Sequence, residues 1–277
     1  MRMDRRDMLT YAATSGTGAL LGFCGCKAAP MTGRNQLMLM PESQEISLGL
    51  KAYEEVVSAE PASTNAAMSD LIQSVGSRIA NVANRSDFQW EFRLIASPTQ
   101  NAFCLPGGKV AVYEGLLPVC ENEAGLAVVM SHEIAHALAR HGGERMSQEM
   151  AVGGAKEVLD RVLAAKVPDR QQQIMQAYGV ASKYGVMLPY NRKQESEADH
   201  IGIMLMAQAG YDPTEAPRFW TRFGSLGGST KPPEFLSTHP ADARRAKDLM
   251  GLMAEAQSNY QKAPQKIGLG QSWTHVG

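Results

Sequence analysis

His132 and His136 are the residues whose spacing points most directly to chemistry. They lie four positions apart in the segment HEIAH, and residues four apart on a helix share a face, so both imidazoles can bind one metal ion. Glu133 would project beside the metal, where its carboxylate can accept a proton from an activated water. The apolar residues around the segment predict a buried helix, in which unpartnered imidazoles and a carboxylate would be costly. The pattern therefore predicts a metal-dependent hydrolytic site; the alternative is a chance motif whose histidines make ordinary hydrogen bonds.

A catalytic zinc ion needs a third protein ligand and a position for water. Glu195 and Asp199 are again four residues apart, at the start of a second predicted helix. Glu195 can therefore ligate the metal while Asp199 accepts a hydrogen bond from a ligand imidazole and fixes its tautomer. Glu197 would point about 200° around the helix from Glu195, into solvent. The alternative interpretation of all three acids is a charged first turn that complements the helix dipole.

Short strands and many helices are predicted around these residues. Trp90, Phe92 and Leu94 alternate with polar residues, as in a half-buried strand. Segments 102–105 and 109–113 flank a Pro-Gly-Gly reversal and predict a hairpin. Helices are predicted over 41–59, 66–82, 121–141, 144–165, 169–183, 192–209, 213–224 and 240–257. This order predicts an α+β fold that is mainly helical, with a small antiparallel sheet before the HEIAH helix.

Composition narrows the class of protein and its partners. The hydrophobic fraction of 44% and the charged fraction of 20% are ordinary for a soluble globular protein. A net charge of −1 gives no reason to expect a nucleic-acid partner. We divide the chain into an export signal (1–25), a lead-in with a helix (26–62), the domain that carries the metal site (63–260) and a loose polar tail (261–277). The oligomeric state is not indicated.

The N-terminus has the features of an export signal. Arg5 and Arg6 precede a short apolar run that is too short for a membrane span, and they fit a twin-arginine or an ordinary secretion signal. The following Cys24-Gly25-Cys26 resembles a bacterial lipobox, in which Cys26 fits lipidation better because bulky Phe23 precedes Cys24. We therefore expect a lipid anchor that holds the domain on the periplasmic side of a bacterial envelope. The alternative is a cleaved, soluble periplasmic protein.

Four motifs together resemble one family of zinc peptidases. They are HEIAHALARH at 132–141, ESEAD at 195–199, NAFCLPGG followed by YEGLLP between 101 and 118, and STHP at 237–240. Their order is similar to that in the family of the CAAX prenyl protease and the HtpX heat-shock protease, in its non-transmembrane lipoprotein branch. The similarity runs from about residue 33 to residue 245. It implies a compact, zincin-like gluzincin fold, one zinc ion per chain and hydrolysis of peptide bonds.

The resemblance also assigns roles to single residues. It implies Glu195 as the third zinc ligand, in agreement with the helical spacing. It places His239 near the metal, where it would donate to the oxyanion or, in a resting state, occupy the open zinc position; the alternative is that its segment only starts the next helix. It implies Arg245 as a second stabiliser of negative charge, with Arg244 as the substitute candidate. The other histidines of the chain receive no role: His141, His200 and His275.

The resemblance further implies how substrate binds. In such folds the edge strand before the active helix pairs with an extended peptide, and here that strand would comprise Asn101, Ala102, Phe103, Cys104 and Leu105. Pairing through the backbone gives weak side-chain selectivity, which suits unfolded or damaged envelope proteins as substrates. Two alternatives remain, a non-proteolytic zinc-containing chaperone-like or binding module and a metal hydrolase of a non-peptide substrate. An intact Glu133 disfavours the first, and a substrate-pairing strand disfavours the second.

Overall fold

A computed structural model of the chain describes residues 26–29, 31–160, 190–226, 234–240 and 243–273. The export signal over 1–25 and the predicted helix over 169–183 lie outside these residues. Within the described part, the element order is two short strands, two helices, three further strands and then a series of helices. The predicted α+β class is confirmed.

The N-terminal part of the described chain is a hairpin followed by two helices. Strands β1 (Cys26–Ala28) and β2 (Asn35–Leu37) pair antiparallel. Helix α1 (Glu42–Ala59) begins directly after Pro41, which fits the preference for proline at a helix start. Helix α2 (Ala66–Ala83) begins at Asn65, whose side chain accepts a hydrogen bond from the Met68 N–H.

Three strands form the sheet beside the metal site. They are β3 (Glu91–Ile95), β4 (Ala102–Leu105) and β5 (Lys109–Tyr113). The predicted hairpin is confirmed, because β4 and β5 pair antiparallel across Gly107 and Gly108, whose φ values of 91° and 89° favour glycine. Strand β3 pairs parallel with β5, so the sheet is mixed and its order is β3-β5-β4. Strand β4 therefore lies at an edge of the sheet.

The remaining described elements are helical. After a 3-10 turn over Glu114–Leu116, the helices are α3 (Leu117–Cys120), α4 (Glu123–Leu138), α5 (His141–Asp160), α6 (Arg192–Gln208), α7 (Glu215–Ser225), α8 (Glu234–Thr238) and α9 (Ala243–Lys262). None of the helices in the described ranges is both long and apolar enough to cross a membrane.

Helix α4 is the centre of the hydrophobic core. Every residue from Glu123 to Leu138 is buried, and the helix packs against α2, α6, α7 and β4. Helix α6 approaches it closely at Gly202, where an added Cβ would lie 3.2 Å from the backbone nitrogen of His132. A larger residue at 202 would push the two helices apart. The core therefore fixes the two helices that carry the predicted ligands against each other.

The C-terminal segment caps the beginning of α4. The first N–H groups of a helix have no partner within it, and here Glu123 N donates to the carbonyl of Gln271 (2.8 Å) and Ala124 N to that of Leu269 (3.1 Å). The Trp273 indole donates to the carbonyl of Leu117 (2.9 Å). The predicted loose tail from residue 261 is therefore wrong for its described part, because its carbonyls complete the hydrogen bonding of a buried helix end.

Candidate active site

His132 and His136 lie on one face of α4, as their spacing predicts. Their Nε2 atoms are 3.0 Å apart, and each residue is about 1% exposed. The helix begins at Asn122, whose side chain accepts from the Gly125 N–H at 2.9 Å. Both imidazoles therefore project from a rigid, buried helix toward the same point.

Glu195 reaches that point from the first turn of α6. Its Oε1 lies 3.4 Å from His136 Nε2, and its Oε2 lies 3.6 Å from His132 Nε2. A capping box formed by Asn191 and Gln194 fixes the turn, since each side chain hydrogen-bonds the other residue's backbone N–H. The structure thus brings together the three residues that the sequence predicts as metal ligands.

His239 completes the cluster from the segment after α8. Its Nδ1 lies 3.3 Å from His132 Nε2 and 3.1 Å from Glu195 Oε1. The ring stacks on Phe235 with a centroid distance of 4.2 Å and is about 1% exposed. The neighbouring Thr238 hydroxyl donates to the Phe235 carbonyl. His239 is therefore part of the cluster rather than only the start of α9.

The donor atoms of this cluster fit a tetrahedral metal site. Within the described residues, His132, His136, Glu195 and His239 each offer one ligand atom, and these atoms all lie within 4.8 Å of one another. The pairwise distances given above span 3.0 to 3.6 Å. Tetrahedral donors about 2.0–2.1 Å from zinc would be about 3.3–3.4 Å apart. Imidazole nitrogens with one carboxylate oxygen are also the donor set of catalytic zinc.

Asp199 and Arg245 hold two of the candidate ligands in place. Asp199 Oδ1 lies 3.1 Å from His132 Nδ1, which fixes a proton on Nδ1 and leaves Nε2 free to ligate. Arg245 donates to both oxygens of Asp199 (2.6 and 2.7 Å), and its Nη1 lies 2.7 Å from Glu195 Oε2. Burial would raise the pKa of Glu195, but Arg245 and the three neighbouring histidines together outweigh it, and the pKa lies well below its usual value. Arg245 therefore orients two carboxylates. The resemblance instead implied that Arg245 stabilises the negative charge that develops on the substrate.

Glu133 lies beside the cluster and not within it. It is about 2% exposed, and its Oε1 has no hydrogen-bond partner and lies 3.4 Å from His239 Nε2. Burial raises the pKa of Glu133 to about 8, and Glu195 adds to this shift. A divalent cation among the ligands would lower the pKa again, because opposite charge favours the ionised form. A buried carboxylate oxygen with a free lone pair is suited to accept a proton from water.

Sequence reasoning missed two further residues at this site. Glu197, predicted to be solvated, is only 7% exposed and accepts hydrogen bonds from His141 (2.9 Å) and Arg34 (2.5 Å). That prediction was wrong because the β1–β2 hairpin and α5 cover this side of α6. His141 Nδ1 lies 2.9 Å from His136 Nδ1. Its approach depends on the left-handed backbone of Arg140 (φ 57°) between α4 and α5, which helical periodicity does not indicate.

Strand β4 is the edge of the sheet next to α4, and all four of its residues are buried. Tyr113 N donates to the Asn101 carbonyl, and antiparallel hydrogen-bonded pairs alternate, so Phe103 and Leu105 also bond to β5. Ala102 and Cys104 therefore direct their backbone groups away from β5, although both residues are only about 1% exposed. The Ala102 N–H is taken by the side chain of Asn101 at 2.9 Å. The remaining outward groups are the Ala102 carbonyl and the N–H and carbonyl of Cys104.

Cys104 and Cys120 could pair in an oxidising compartment, but sequence alone does not give the geometry that a disulfide needs. Both are buried free thiols in the structure. Burial raises the pKa of Cys104 well above its usual value and that of Cys120 to about 12. Both thiols are therefore unreactive core residues.

Comparisons with known proteins agree with this geometry. The family model described as peptidase family M48 matches residues 66–253, a range that includes the three candidate ligands and Glu133. The mitochondrial metalloendopeptidase OMA1 of Schizosaccharomyces pombe is 35% identical over 92% of this chain and 74% of its own length. The enzyme of the same name from Saccharomyces cerevisiae is 28% identical over 94% of this chain and 79% of its own length.

A bacterial relative is similar over a shorter part of its length. The beta-barrel assembly-enhancing protease of Escherichia coli is 29% identical over 78% of this chain and 47% of its own length. The relatives are thus peptidases from mitochondria and from a bacterium, and the residues that the family model matches include all four members of the cluster. The chain belongs to peptidase family M48 and is a zinc-dependent metalloendopeptidase.

Proposed function

We propose that this enzyme cleaves internal peptide bonds of unfolded or extended polypeptides in a bacterial cell envelope, to which a lipid on Cys26 anchors it. Buried metal-ligand atoms converge from α4, α6 and the segment after α8, and the Glu133 carboxylate lies beside them. This convergence supports the catalytic part of the proposal.

His132, His136 and Glu195 are the proposed zinc ligands. Zinc bound there would polarise the scissile carbonyl and lower the pKa of water toward about 7. Asp199 keeps His132 in the tautomer that ligates through Nε2. Arg245, held by both carboxylates, is proposed to position Glu195 and Asp199 rather than to touch the substrate.

Glu133 is the proposed general base and acid. Its Oε1 has no competing hydrogen bond, so the carboxylate can accept a proton from the attacking water. The protonated form can then donate to the nitrogen of the leaving amine. The buried surroundings exclude bulk water that would otherwise exchange this proton.

His239 is proposed to occupy the fourth zinc position when no substrate is bound. Its Nδ1 lies as close to Glu195 as the other imidazole nitrogens do. This distance favours a role as fourth metal ligand over a role as an unbound donor to the oxyanion. Substrate would displace the ring, which could then donate to the oxyanion from nearby. This geometry also supports the second candidate function, a binding module whose metal stays blocked by His239.

The edge of β4 is the proposed substrate strand. An extended peptide can hydrogen-bond the Cys104 N–H and carbonyl and the Ala102 carbonyl, as one more strand of the sheet. Such pairing reads the backbone and not side chains, and folded proteins do not offer a free extended segment. Unfolded chains are therefore the expected substrate class.

The proposed location depends on the N-terminal sequence. The basic start and the lipobox-like Cys26 support export and lipidation. The similarity to an Escherichia coli protease whose name refers to beta-barrel assembly supports an envelope role, while the mitochondrial relatives show that the family also occurs elsewhere. The motif order supports a place in the non-transmembrane lipoprotein branch near the HtpX protease.

Cleavage of unfolded casein tests the catalytic proposal. Purified full chain with zinc should cleave casein, and Glu133→Gln, which keeps the shape but loses the base, should lower the rate by about a hundredfold or more. The variant must retain zinc, as measured by metal analysis. Equal cleavage by both proteins would contradict the role of Glu133, and no cleavage by either with zinc tightly bound would favour the binding module.

Palmitate labelling of the wild type and of Cys26→Ser tests the anchor, since equal labelling would refute it.

A further inference from the structure

A chain of hydrogen bonds connects the N-terminal hairpin to a proposed zinc ligand. His136 Nδ1, on the side of the ring away from the metal, lies 2.9 Å from His141 Nδ1. The other nitrogen of His141, Nε2, lies 2.9 Å from Glu197 Oε2. Arg34 Nε lies 2.5 Å from the same oxygen, and the Thr32 hydroxyl contacts Glu197 Oε1. The chain thus runs from α4 through α5 and α6 to residues 32–34.

Proton positions along this chain follow from ligation. A ligand that binds through Nε2 carries its proton on Nδ1, so His136 donates to His141 Nδ1. The neutral His141 ring then has its proton on Nε2 and donates it to Glu197. Each hydrogen bond therefore runs in the same direction, from His136 to His141 and from His141 to Glu197. Glu197 is the acceptor that fixes this direction, because a carboxylate can only accept.

Arg34 holds Glu197 in the position that this chain requires. Its two terminal nitrogens donate to both oxygens of Glu144 in α5 (2.8 and 2.7 Å), while its Nε donates to Glu197 in α6. Glu144 also accepts from Gln194 (2.9 Å), the neighbour of Glu195. A planar guanidinium can bridge two carboxylates in this way, whereas an ammonium would contact them as a point charge. Arg34 therefore ties together two helices behind the metal.

The hairpin that supplies Arg34 is itself docked on α5. Leu39 N donates to the Ser147 hydroxyl at 2.9 Å, and Arg140 donates to the Met40 carbonyl at 3.1 Å. Arg34 is partly exposed, with 26% of its side-chain surface accessible, while Glu197 and Glu144 are nearly buried at 5% and 6%. Loss of Arg34 would thus leave two buried carboxylates without their cation.

We propose that Arg34 is a positioning residue for the zinc site, so that the docked N-terminal segment sets the affinity for the metal. This inference rests on the proposed ligand role of His136. Partners behind a metal ligand typically change metal affinity by about 10–100-fold when they are removed. The segment that provides Arg34 lies within ten residues of Cys26. A force or ligand that lifts it off α5 would therefore weaken zinc binding without touching the catalytic groups.

Zinc affinity of the full chain tests the proposal. Competition with a chromophoric chelator should show zinc binding about 10–100-fold weaker in Arg34→Met than in the wild type. Arg34→Lys should restore part of the loss, because it keeps the charge but not the fork. Arg85→Met is the matched control, since Arg85 also bridges two acidic residues, Glu42 and Asp87, away from the site. It should bind zinc within about twofold of the wild type.

Further variants separate the possible outcomes. Glu197→Gln should weaken zinc binding as Arg34→Met does, and the double variant should add little, because both residues act through one chain. Zinc affinity of Arg34→Met within about twofold of the wild type would overturn the proposal. Thermal melts of the metal-free proteins show whether Arg34→Met is folded; if it is not, Arg34→Lys and Glu197→Gln decide. Unchanged zinc binding by His136→Ala would instead refute the ligand assignment itself.

Discussion

Replacing Arg245 with methionine should destabilise the metal-free protein by about 3–5 kcal/mol, because it leaves buried carboxylates without their cation. Arg245 contacts Asp199 at 2.6 and 2.7 Å and Glu195 at 2.7 Å, and all three residues are less than 7% exposed. Methionine keeps an unbranched chain beside Trp220, over whose ring the guanidinium lies at 3.4 Å. Burial would lower the pKa of His132, but Asp199 and Glu195 raise it to about 9, so its positive charge 3.1 Å from Asp199 offsets part of the loss. The lower end of the range is therefore expected.

Urea unfolding in the presence of a chelator measures this effect. Arg85→Met, which removes a more exposed bridge, should cost less than about 1 kcal/mol. Burial would raise the pKa of Asp199 and Glu195, but Arg245 lowers both in the folded state. Its contribution is thus present above their usual pKa of about 4 and is lost as pH falls through the lower folded values. A loss no larger than that of Arg85→Met at pH 7.5, or one that does not diminish below about pH 4, would refute the reasoning.

Three other outcomes follow from the structure. Chelation of the metal should lower the free energy of unfolding by about 4 kcal/mol relative to protein at a free zinc concentration a thousand times the Kd, measured by denaturant titration; no change would contradict a folded-state zinc site. His239→Ala should bind zinc about tenfold more weakly and, when saturated with zinc, cleave casein faster than the wild type. An unchanged affinity and an unchanged rate would exclude His239 as a zinc ligand in the substrate-free enzyme. Truncation after Gly268 should cost about 3–6 kcal/mol in urea unfolding, because five hydrogen bonds between the described tail and the α3–α4 region are lost. A loss below about 0.5 kcal/mol would mean that water replaces them.

The candidate ligands could be predicted because helical geometry relates residues that are near in sequence. His132 and His136 had to share a face once the segment was a helix, and the convergence of Glu195 required only a second helix packed against the first. His239 and Arg245 were different, because no periodicity connects residues more than a hundred positions after His132 to it. Their proximity was inferred from a resemblance of motifs, and the direction of the Arg245 donors became clear only from the structure.

Other features could not be predicted because they depend on what packs against a residue. Glu197 lies on the side of α6 that would face water if α6 were a surface helix, yet Arg34 and His141 cover it. The C-terminal tail is polar and rich in turn residues, yet its carbonyls complete the first turn of α4. Strand β3 pairs parallel with β5 although β4 comes between them in sequence. In each case the partner is distant in sequence and the local pattern carries no information about it.

The charge of the buried site explains why the same residues suit a divalent transition metal. Glu133, Glu195 and Asp199 are buried with one guanidinium, that of Arg245, and histidines must be neutral to ligate. Fully ionised, this group has an excess of two negative charges, and uncompensated charges in a protein interior cost several kcal/mol each. One dication would cancel the excess, whereas a monovalent cation would leave half of it. The excess negative charge therefore favours a divalent cation. Among divalent cations, imidazole nitrogens favour zinc over hard cations such as magnesium or calcium.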